Sequence, residues 1–153
     1  FGANRFSPTL DKLFWSQANP TMNTIKISIC KNGERQTAML LCDPKCLTIT
    51  FTMEDGYQNS YVGNDFYKCL GKVRADHPDL IFLCKGAKIN VHPSTMSSQM
   101  SLGVKAYELT LGKRALLSDI VNIFDYEENN LTNDPNLQEE FFLNWFGSSL
   151  INE

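Results

Sequence analysis

Alternating apolar and polar residues predict strands in the first half of the chain. Three isoleucines between Thr24 and Lys31 alternate with polar residues, the period of two that a half-buried strand requires. Asn32-Gly33 follows and is a strong hairpin signal, because a type I′ turn needs positive φ at both central residues. Similar patterns predict further strands at residues 36–42, 46–53 and 57–62. Together these strands form an antiparallel meander with one apolar face.

Helical spacing replaces this alternation after residue 62. Apolar residues at 66, 67, 70 and 73 predict a helix that Asn64 caps and that ends before His77-Pro78, since the residue before proline avoids the α region. Leu80 to Cys84 is a continuous apolar run, as in a buried central strand. Ala87 to Val91 is a candidate for a second short strand, and 92–101 for a loop or one short helix.

The second half of the chain is predicted to contain a strand, a short helix, a loop and a final helix. Residues 105–111 alternate and predict a strand, whereas Ser118 could cap a short helix that continues to Phe124. Residues 125–136 are rich in Asn, Asp and Glu and predict a solvated loop. Asp134-Pro135 then begins the last helix, since proline suits the first turn. The expected apolar stripe of that helix consists of Leu137, Phe141, Phe142, Trp145 and Phe146.

This order of elements predicts the α+β class, with a largely antiparallel sheet, meander first, and helices packed on one face. The length of 153 residues suits one domain, which we place at residues 22–153. Residues 1–21 contain Pro8 and Pro20 and no strong strand pattern, so we interpret them as an N-terminal extension or a short helix around Leu10 to Trp15. No apolar run approaches the roughly 18–20 residues that span a bilayer, so no membrane partner is expected.

The charge of the chain is divided unevenly along it. All fourteen Lys and Arg residues lie between Arg5 and Arg114, so the first 114 residues carry a net charge of +5 and the last 39 carry −8. Such asymmetry concerns partners and association rates rather than the fold. The acidic part either attracts a basic partner or folds back onto the basic part of the same chain. The sequence leaves both possibilities open.

Five cysteines, several inside apolar runs, favour reduced thiols and a cytoplasmic location. Cys42 and Cys46 have no second close pair, so they do not complete a tetrahedral zinc site, and we expect no metal and no cofactor. The sequence has no signature that names a catalytic residue. Lys68, Lys72 and Arg74 lie on one helix, but neighbouring acids dilute this patch and nucleic acid is not expected as a partner.

An acidic partner-binding face is the first functional hypothesis. It places carboxylates around an aromatic ring, which would complement a basic protein and increase the rate of association and the specificity. The candidate residues are Asp119, Asp125, Tyr126, Glu127, Glu128, Asp134, Glu139 and Glu140.

The alternative hypothesis is a small enzyme that acts on a phosphorylated or acyl substrate through the polar loop at residues 85–105. A long polar connection in a compact domain is often functional, although this one lacks P-loop spacing. The candidate residues are Lys85, Lys88, His92, Ser94 and Lys105. A third possibility is a small regulatory module that pairs through its own sheet edge; the sequence does not determine the oligomeric state.

Four stretches between residues 77 and 125 carry a resemblance to a known class. They are His77-Pro-Asp-Leu-Ile-Phe-Leu-Cys-Lys-Gly-Ala87, Val91-His-Pro-Ser-Thr-Met-Ser-Ser-Gln-Met100, Lys105-Ala-Tyr-Glu-Leu-Thr-Leu-Gly112 and Asp119-Ile-Val-Asn-Ile-Phe-Asp125. This third of the chain resembles small bacterial immunity proteins of polymorphic toxin systems, including contact-dependent growth inhibition. The resemblance implies a cytoplasmic protein that binds and blocks a cognate toxin domain, and it assigns no site residues. Combined with the charge asymmetry, it suggests that the toxin domain is basic, for example a nuclease.

Overall fold

A computed structural model describes residues 22–148 of the chain. The predicted extension at residues 1–21 lies outside the described residues. Four strands form the expected meander, with a fifth strand after the first helix. The bounds are β1 Asn23–Lys31, β2 Glu34–Asp43, β3 Thr48–Thr52, β4 Gln58–Val62 and β5 Leu80–Phe82, with helix α1 at Phe66–Ala75 between β4 and β5.

The remaining elements form a second, smaller layer. Short 3-10 turns lie at Lys85–Ala87 and Leu117–Asp119, and the other elements are β6 Val91–His92, α2 Thr95–Met100, β7 Lys105–Glu108, β8 Ile120–Asn122 and α3 Pro135–Gly147. The strands form a five-stranded sheet of order β4-β3-β2-β1-β5 and a three-stranded sheet of order β6-β7-β8, and every pairing is antiparallel. The predicted α+β class with a largely antiparallel sheet is confirmed.

The β1–β2 hairpin shows why the meander forms. Asn32 and Gly33 adopt φ angles of 53° and 80°, as the predicted type I′ turn requires. This turn sets Ile27 opposite Ala38 and Ile29 opposite Gln36, so the isoleucines face the core. Helix α1 covers that face with four completely buried residues, which are Phe66, Cys69, Leu70 and Val73.

Asp65, rather than the predicted Asn64, caps α1. Its Oδ1 accepts the Lys68 N–H at 2.8 Å, and its Oδ2 accepts the hydroxyl of Ser98 in α2 at 2.5 Å. The carboxylate is 1% exposed and therefore joins the two layers of the fold. A second buried cluster lies under α3 and consists of Tyr107, Leu109, Ala115 and Trp145.

Three predicted elements are wrong. Leu80 to Cys84 is not a central strand, because within residues 22–148 β5 lies at the sheet edge and pairs with β1 alone, and Ile81 is half exposed. Residues 87–91 are not a strand, since a 3-10 turn ends at Ala87 and β6 begins only at Val91. The helix expected from Ser118 is replaced by a 3-10 turn and by β8, which pairs with β7. Among residues 22–148, no helix has both the length and the apolarity to cross a bilayer.

Candidate functional site

The acidic segment at residues 125–131 runs beside residues 83–89 and is fixed to them by its backbone. The Lys85 N–H donates to the Asp125 carbonyl at 2.8 Å, and the Ile89 N–H donates to the Asn130 carbonyl at 2.8 Å. Isolated bridges also join Cys84 to Tyr126 and Lys88 to Leu131. The segment is therefore an ordered strip, although its composition predicted a solvated loop.

Glu127 anchors this strip from its side chain. One carboxylate oxygen lies 3.2 Å from Lys85 Nζ and 3.1 Å from Lys88 Nζ, and the other accepts the backbone N–H groups of Glu128 and Asn129. The Asn129 N–H and the two lysines lower the pKa of Glu127 to about 2. Because only 11% of the side chain is exposed, Glu127 holds the strip in place rather than presenting a carboxylate to a partner.

The two lysines beneath the strip are also shared with Glu108. Lys88 Nζ lies 2.8 Å from a Glu108 oxygen, and Lys85 Nζ lies 3.6 Å from the other. Burial alone would lower the pKa of Lys88. The hydrogen bonds to Glu108 and Glu127 outweigh this effect, so the pKa of Lys88 is raised. Two cations and two carboxylates therefore balance one another below the surface of the strip.

Tyr126 and Glu128 point outward from the same strip. The tyrosine hydroxyl donates to Glu128 Oε2 at 2.7 Å, and Arg35 of the β1–β2 hairpin lies 3.4 Å from that oxygen and 5.3 Å from the centre of the tyrosine ring. The hydrogen bond to Glu128 raises the pKa of Tyr126. Asp125 is exposed beside them and has no side-chain hydrogen bond or ion pair among the described residues. These outward groups form what we call the acidic strip surface: Asp125, Tyr126 and Glu128.

The structure does not place all eight predicted acidic-face residues in one contiguous site. Asp119 accepts the Leu116 N–H at 2.8 Å, Asp134 caps α3 by accepting the Asn136 N–H at 2.9 Å, and Glu139 lies 3.3 Å from His92 Nε2. Glu140 is exposed on α3. Glu127, Glu128 and Glu139 therefore contact basic groups of the same chain, namely Lys85 and Lys88, Arg35, and His92. Part of the acidic region thus folds back onto the basic part of the chain, which is one of the two possibilities that the charge pattern left open.

The five residues of the alternative enzyme site are not gathered around one pocket. Lys85 and Lys88 lie together but are held by Glu108 and Glu127, Ser94 caps α2 by accepting the Ser97 N–H at 3.0 Å, and Lys105 begins β7 opposite Asn122. Only His92 lines the cleft of about 210 Å³ between α1 and α3. The other lining residues are Tyr67, Lys68, Gly71, Lys72, Pro135, Gln138 and Glu139.

His92 itself has a structural setting. Its ring stacks on Phe142 with centroids 4.1 Å apart, and Nδ1 lies 2.8 Å from the Pro93 carbonyl oxygen. Burial lowers the pKa of His92, while the Pro93 carbonyl and Glu139 partly oppose this effect. Among residues 22–148, no three His, Cys, Asp or Glu side chains are grouped so that they could hold a metal ion.

Sequence reasoning missed two residues of the site, Arg35 and Glu108. Arg35 comes just after the hairpin turn, and its contact with Glu128 spans 93 positions, so no local pattern could indicate it. Glu108 lies in a predicted strand, on the face opposite to Tyr107. This alternation gives the face of the strand but cannot identify Lys88 as the ion-pair partner of Glu108. A scan against protein-family models and a search of curated proteins found no match for this chain.

Proposed function

We propose that this protein is a non-enzymatic immunity protein that binds and neutralises a cognate toxin domain through its acidic strip surface. The observation that carries the proposal is that the side chains of residues 125–128 have two different roles. Glu127 holds the segment in place by accepting four hydrogen bonds, two from lysine side chains and two from backbone N–H groups. Asp125, Tyr126 and Glu128 are exposed and point outward. A surface that is ordered before binding loses less conformational entropy in the complex.

The chemistry of this surface favours a basic partner. Two carboxylates flank a tyrosine, a residue type that is enriched at binding hot spots because it combines a large apolar ring with a hydroxyl. A basic nuclease domain is such a partner, and electrostatic complementarity would increase the rate of association. The resemblance of residues 77–125 to bacterial immunity proteins supports the same proposal.

The proposed location is the cytoplasm. All five cysteines lie within the described residues and are free thiols, three of them buried. Burial raises the pKa of the Cys84 thiol to about 11 and that of the Cys69 thiol to about 11, so neither is reactive at neutral pH. Unpaired cysteines in a folded core fit a reducing compartment.

Capture of the partner is the first step of the test. The purified protein is immobilised, incubated with lysate of its source cells at low and at high salt, and the retained proteins are identified by mass spectrometry. We expect one stoichiometric basic protein that is released as salt increases. Expression of that protein alone should arrest bacterial growth, and co-expression with the present chain should restore it.

The binding surface is then tested with matched variants. The triple variant Asp125→Asn, Tyr126→Ala, Glu128→Gln should bind the captured protein at least about tenfold more weakly and fail to restore growth. The control Asp79→Asn, Glu140→Gln removes two exposed carboxylates outside the strip and should leave both unchanged. A captured protein that is not toxic would contradict the immunity proposal, and unaltered binding by the triple variant would contradict the assigned surface.

A further inference from the structure

The cleft between α1 and α3 has the size of a site for a small ligand. Its volume of about 210 Å³ is the space of roughly seven water molecules, and it is below the roughly 300–1,000 Å³ of pockets that hold drug-sized ligands. Helix α1 contributes Tyr67, Lys68, Gly71 and Lys72 to the lining, and at about 100° per residue these four lie on one side of the helix. One continuous helix face therefore forms one wall of what we call the α1–α3 cleft.

Gly71 keeps this cleft open. A Cβ at residue 71 would lie 3.3 Å from Pro135 Cγ, which lines the α3 side of the cleft. Any side chain at this position would therefore fill the gap between the two helices. The same Cβ would lie 3.9 Å from Arg74 Nη1, so the buried guanidinium of Arg74 is directly behind the cleft wall at Gly71.

Arg74 places a positive charge behind this wall that no carboxylate neutralises by contact. Within residues 22–148 it forms no ion pair, and its three hydrogen bonds go to neutral acceptors, the carbonyl groups of Gly86 and Thr132 and the side chain of Gln138. A guanidinium has five N–H groups, so two of them have no acceptor among the described residues. Because a buried charge without a counter-charge is costly, an anion in the adjoining cleft would be stabilised.

The rim of the α1–α3 cleft also carries more positive than negative groups. Lys68 is exposed, and its Nζ has no hydrogen bond or ion pair within residues 22–148, whereas Lys72 Nζ donates to the Val62 carbonyl at 2.5 Å. The α3 side consists of the first turn of that helix, where the helix dipole is positive. Among the lining residues, Glu139 alone has a carboxylate, and it lies 3.3 Å from His92 Nε2. The balance of charge therefore favours an anion.

The rest of the lining offers apolar contact. The rings of Tyr67 and His92 lie with their centroids 5.4 Å apart, and the ring of Pro135 lies on the α3 side. Gln138 occupies the inner position of α3 and is 2% exposed, whereas Leu137 is 39% exposed. The prediction that Leu137 belongs to the buried stripe is therefore wrong, because Gln138 takes that place through its hydrogen bonds to buried carbonyl groups.

We propose that the α1–α3 cleft binds a small organic anion, which is a carboxylate or phosphate group on a compact apolar body. The anionic group is attracted by Lys68 at the rim and by the Arg74 guanidinium behind the wall, and the apolar body packs against Tyr67 and His92. None of the lining residues belongs to the acidic strip surface, so the inference is independent of the proposed function.

NMR titration of the full chain tests the proposal, because its two histidines provide one probe inside the cleft, His92, and one outside it, His77. Benzoate and phenyl phosphate are added at pH 7.5 and constant ionic strength, and neutral benzamide is the matched control. We expect the His92 imidazole signals to shift with a Kd of about 1 mM or lower, which a ligand of roughly ten non-hydrogen atoms can reach, while the His77 signals stay in place.

The comparison of the three compounds identifies the chemistry of the ligand. Benzamide should bind at least about tenfold more weakly, because it lacks the charge that strengthens hydrogen bonds to cations. Binding of either anion supports the proposal, and the tighter of the two identifies the preferred anionic group. The proposal is overturned if neither anion shifts the His92 signals up to about 10 mM, or if benzamide binds as tightly as the anions.

Charge variants test whether the lining of the cleft holds the anion. Lys68→Gln should weaken binding about threefold to tenfold, and Glu139→Gln should tighten it by a similar factor, because it removes the carboxylate of the lining. The matched controls are Lys26→Gln, on exposed β1, and Glu140→Gln, which is exposed beside Glu139 but outside the lining, and both should leave the Kd unchanged. Circular dichroism verifies that every variant is folded. If each variant has the same Kd as its control, the charges of the cleft do not hold the ligand and the proposal is wrong.

Discussion

Arg74 Nη2 donates a hydrogen bond of 2.8 Å to Gln138 Oε1, and this pair joins α1 to α3 inside the core. Arg74 also donates to the carbonyl groups of Gly86 and Thr132, and Gln138 donates to those of Gly86 and Lys88. Both side chains are at most 2% exposed. Since the acceptors are neutral, burial lowers the pKa of Arg74, and the network must remain complete to hold the charge.

Replacement of Gln138 by Leu should therefore destabilise the fold strongly. It removes one of the two donors from each of two buried carbonyl groups, those of Gly86 and Lys88, and leaves one guanidinium N–H of the buried Arg74 without its acceptor. We therefore expect a loss of about 2–4 kcal/mol. Urea-induced unfolding monitored by circular dichroism measures the change. The control Gln99→Leu alters an exposed glutamine in α2 and should change the unfolding free energy by less than about 0.5 kcal/mol. Equal stability of the two variants would contradict the role assigned to Gln138.

Glu127 should make the stability of the protein fall in acid. Its pKa is lowered from 4.5 to about 2 in the folded protein, so the unfolded chain binds a proton more readily. The resulting stabilisation is complete above about pH 4.5 and is lost as the pH falls towards 2. The free energy difference between the wild type and Glu127→Gln, measured by urea unfolding from pH 7 to 2.5, should decrease through this range. A difference that stays constant with pH would show that Glu127 is not anchored as a carboxylate.

The meander was predictable because its determinants are local. Period-two alternation at Ile25, Ile27 and Ile29 and the positive φ angles of Asn32 and Gly33 require no knowledge of the rest of the chain. The same local reading failed between Ser118 and Phe124, where apolar residues at near-helical spacing pair as a strand with β7. That pairing depends on residues 105–107, which a local pattern cannot include.

The burial of Arg74 illustrates a second limit. The sequence predicts that Arg74 shares a solvated helix face with Lys68 and Lys72, but in the structure Arg74 is completely buried. Its partners Thr132 and Gln138 lie 58 and 64 positions away, so only the tertiary fold makes burial possible. For the candidate site, composition suggested the acidic segment as a partner-binding face, and this stays a prediction. The difference between the anchored Glu127 and the outward Glu128 depends on Lys85 and Lys88, which are about 40 positions away.

His92 should contribute a separate pH dependence near neutrality. Burial lowers its folded pKa below the usual 6.5, so the unfolded chain takes up the proton first as the pH falls. Stability is therefore greatest above about pH 6.5 and decreases below it, while Glu139 limits the effect by favouring the charged ring. NMR titration of the imidazole gives the folded pKa, and unfolding of His92→Gln should show a flatter profile between pH 7.5 and 5.5. An imidazole that titrates at or above 6.5 would contradict the prediction.

Gly86 should not tolerate even a methyl group. A Cβ at this position would lie 2.7 Å from Leu70 Cδ2 and 3.0 Å from the Ile123 backbone oxygen, closer than real contacts allow. Because the 3-10 turn also supplies the Gly86 carbonyl to Arg74 and Gln138, it cannot move without disturbing that network. We expect Gly86→Ala to cost about 1–3 kcal/mol of unfolding free energy.

Gly147 provides the matched control for that substitution. It has φ in the ordinary negative range near the end of α3, and a Cβ there would meet no atom within 4 Å. Gly147→Ala should therefore be neutral or slightly stabilising, by up to about 1 kcal/mol, because alanine favours the helix more than glycine does. Thermal unfolding of both variants beside the wild type makes the comparison. If Gly86→Ala unfolds at the same temperature as Gly147→Ala, the packing of the 3-10 turn against α1 is looser than these distances require.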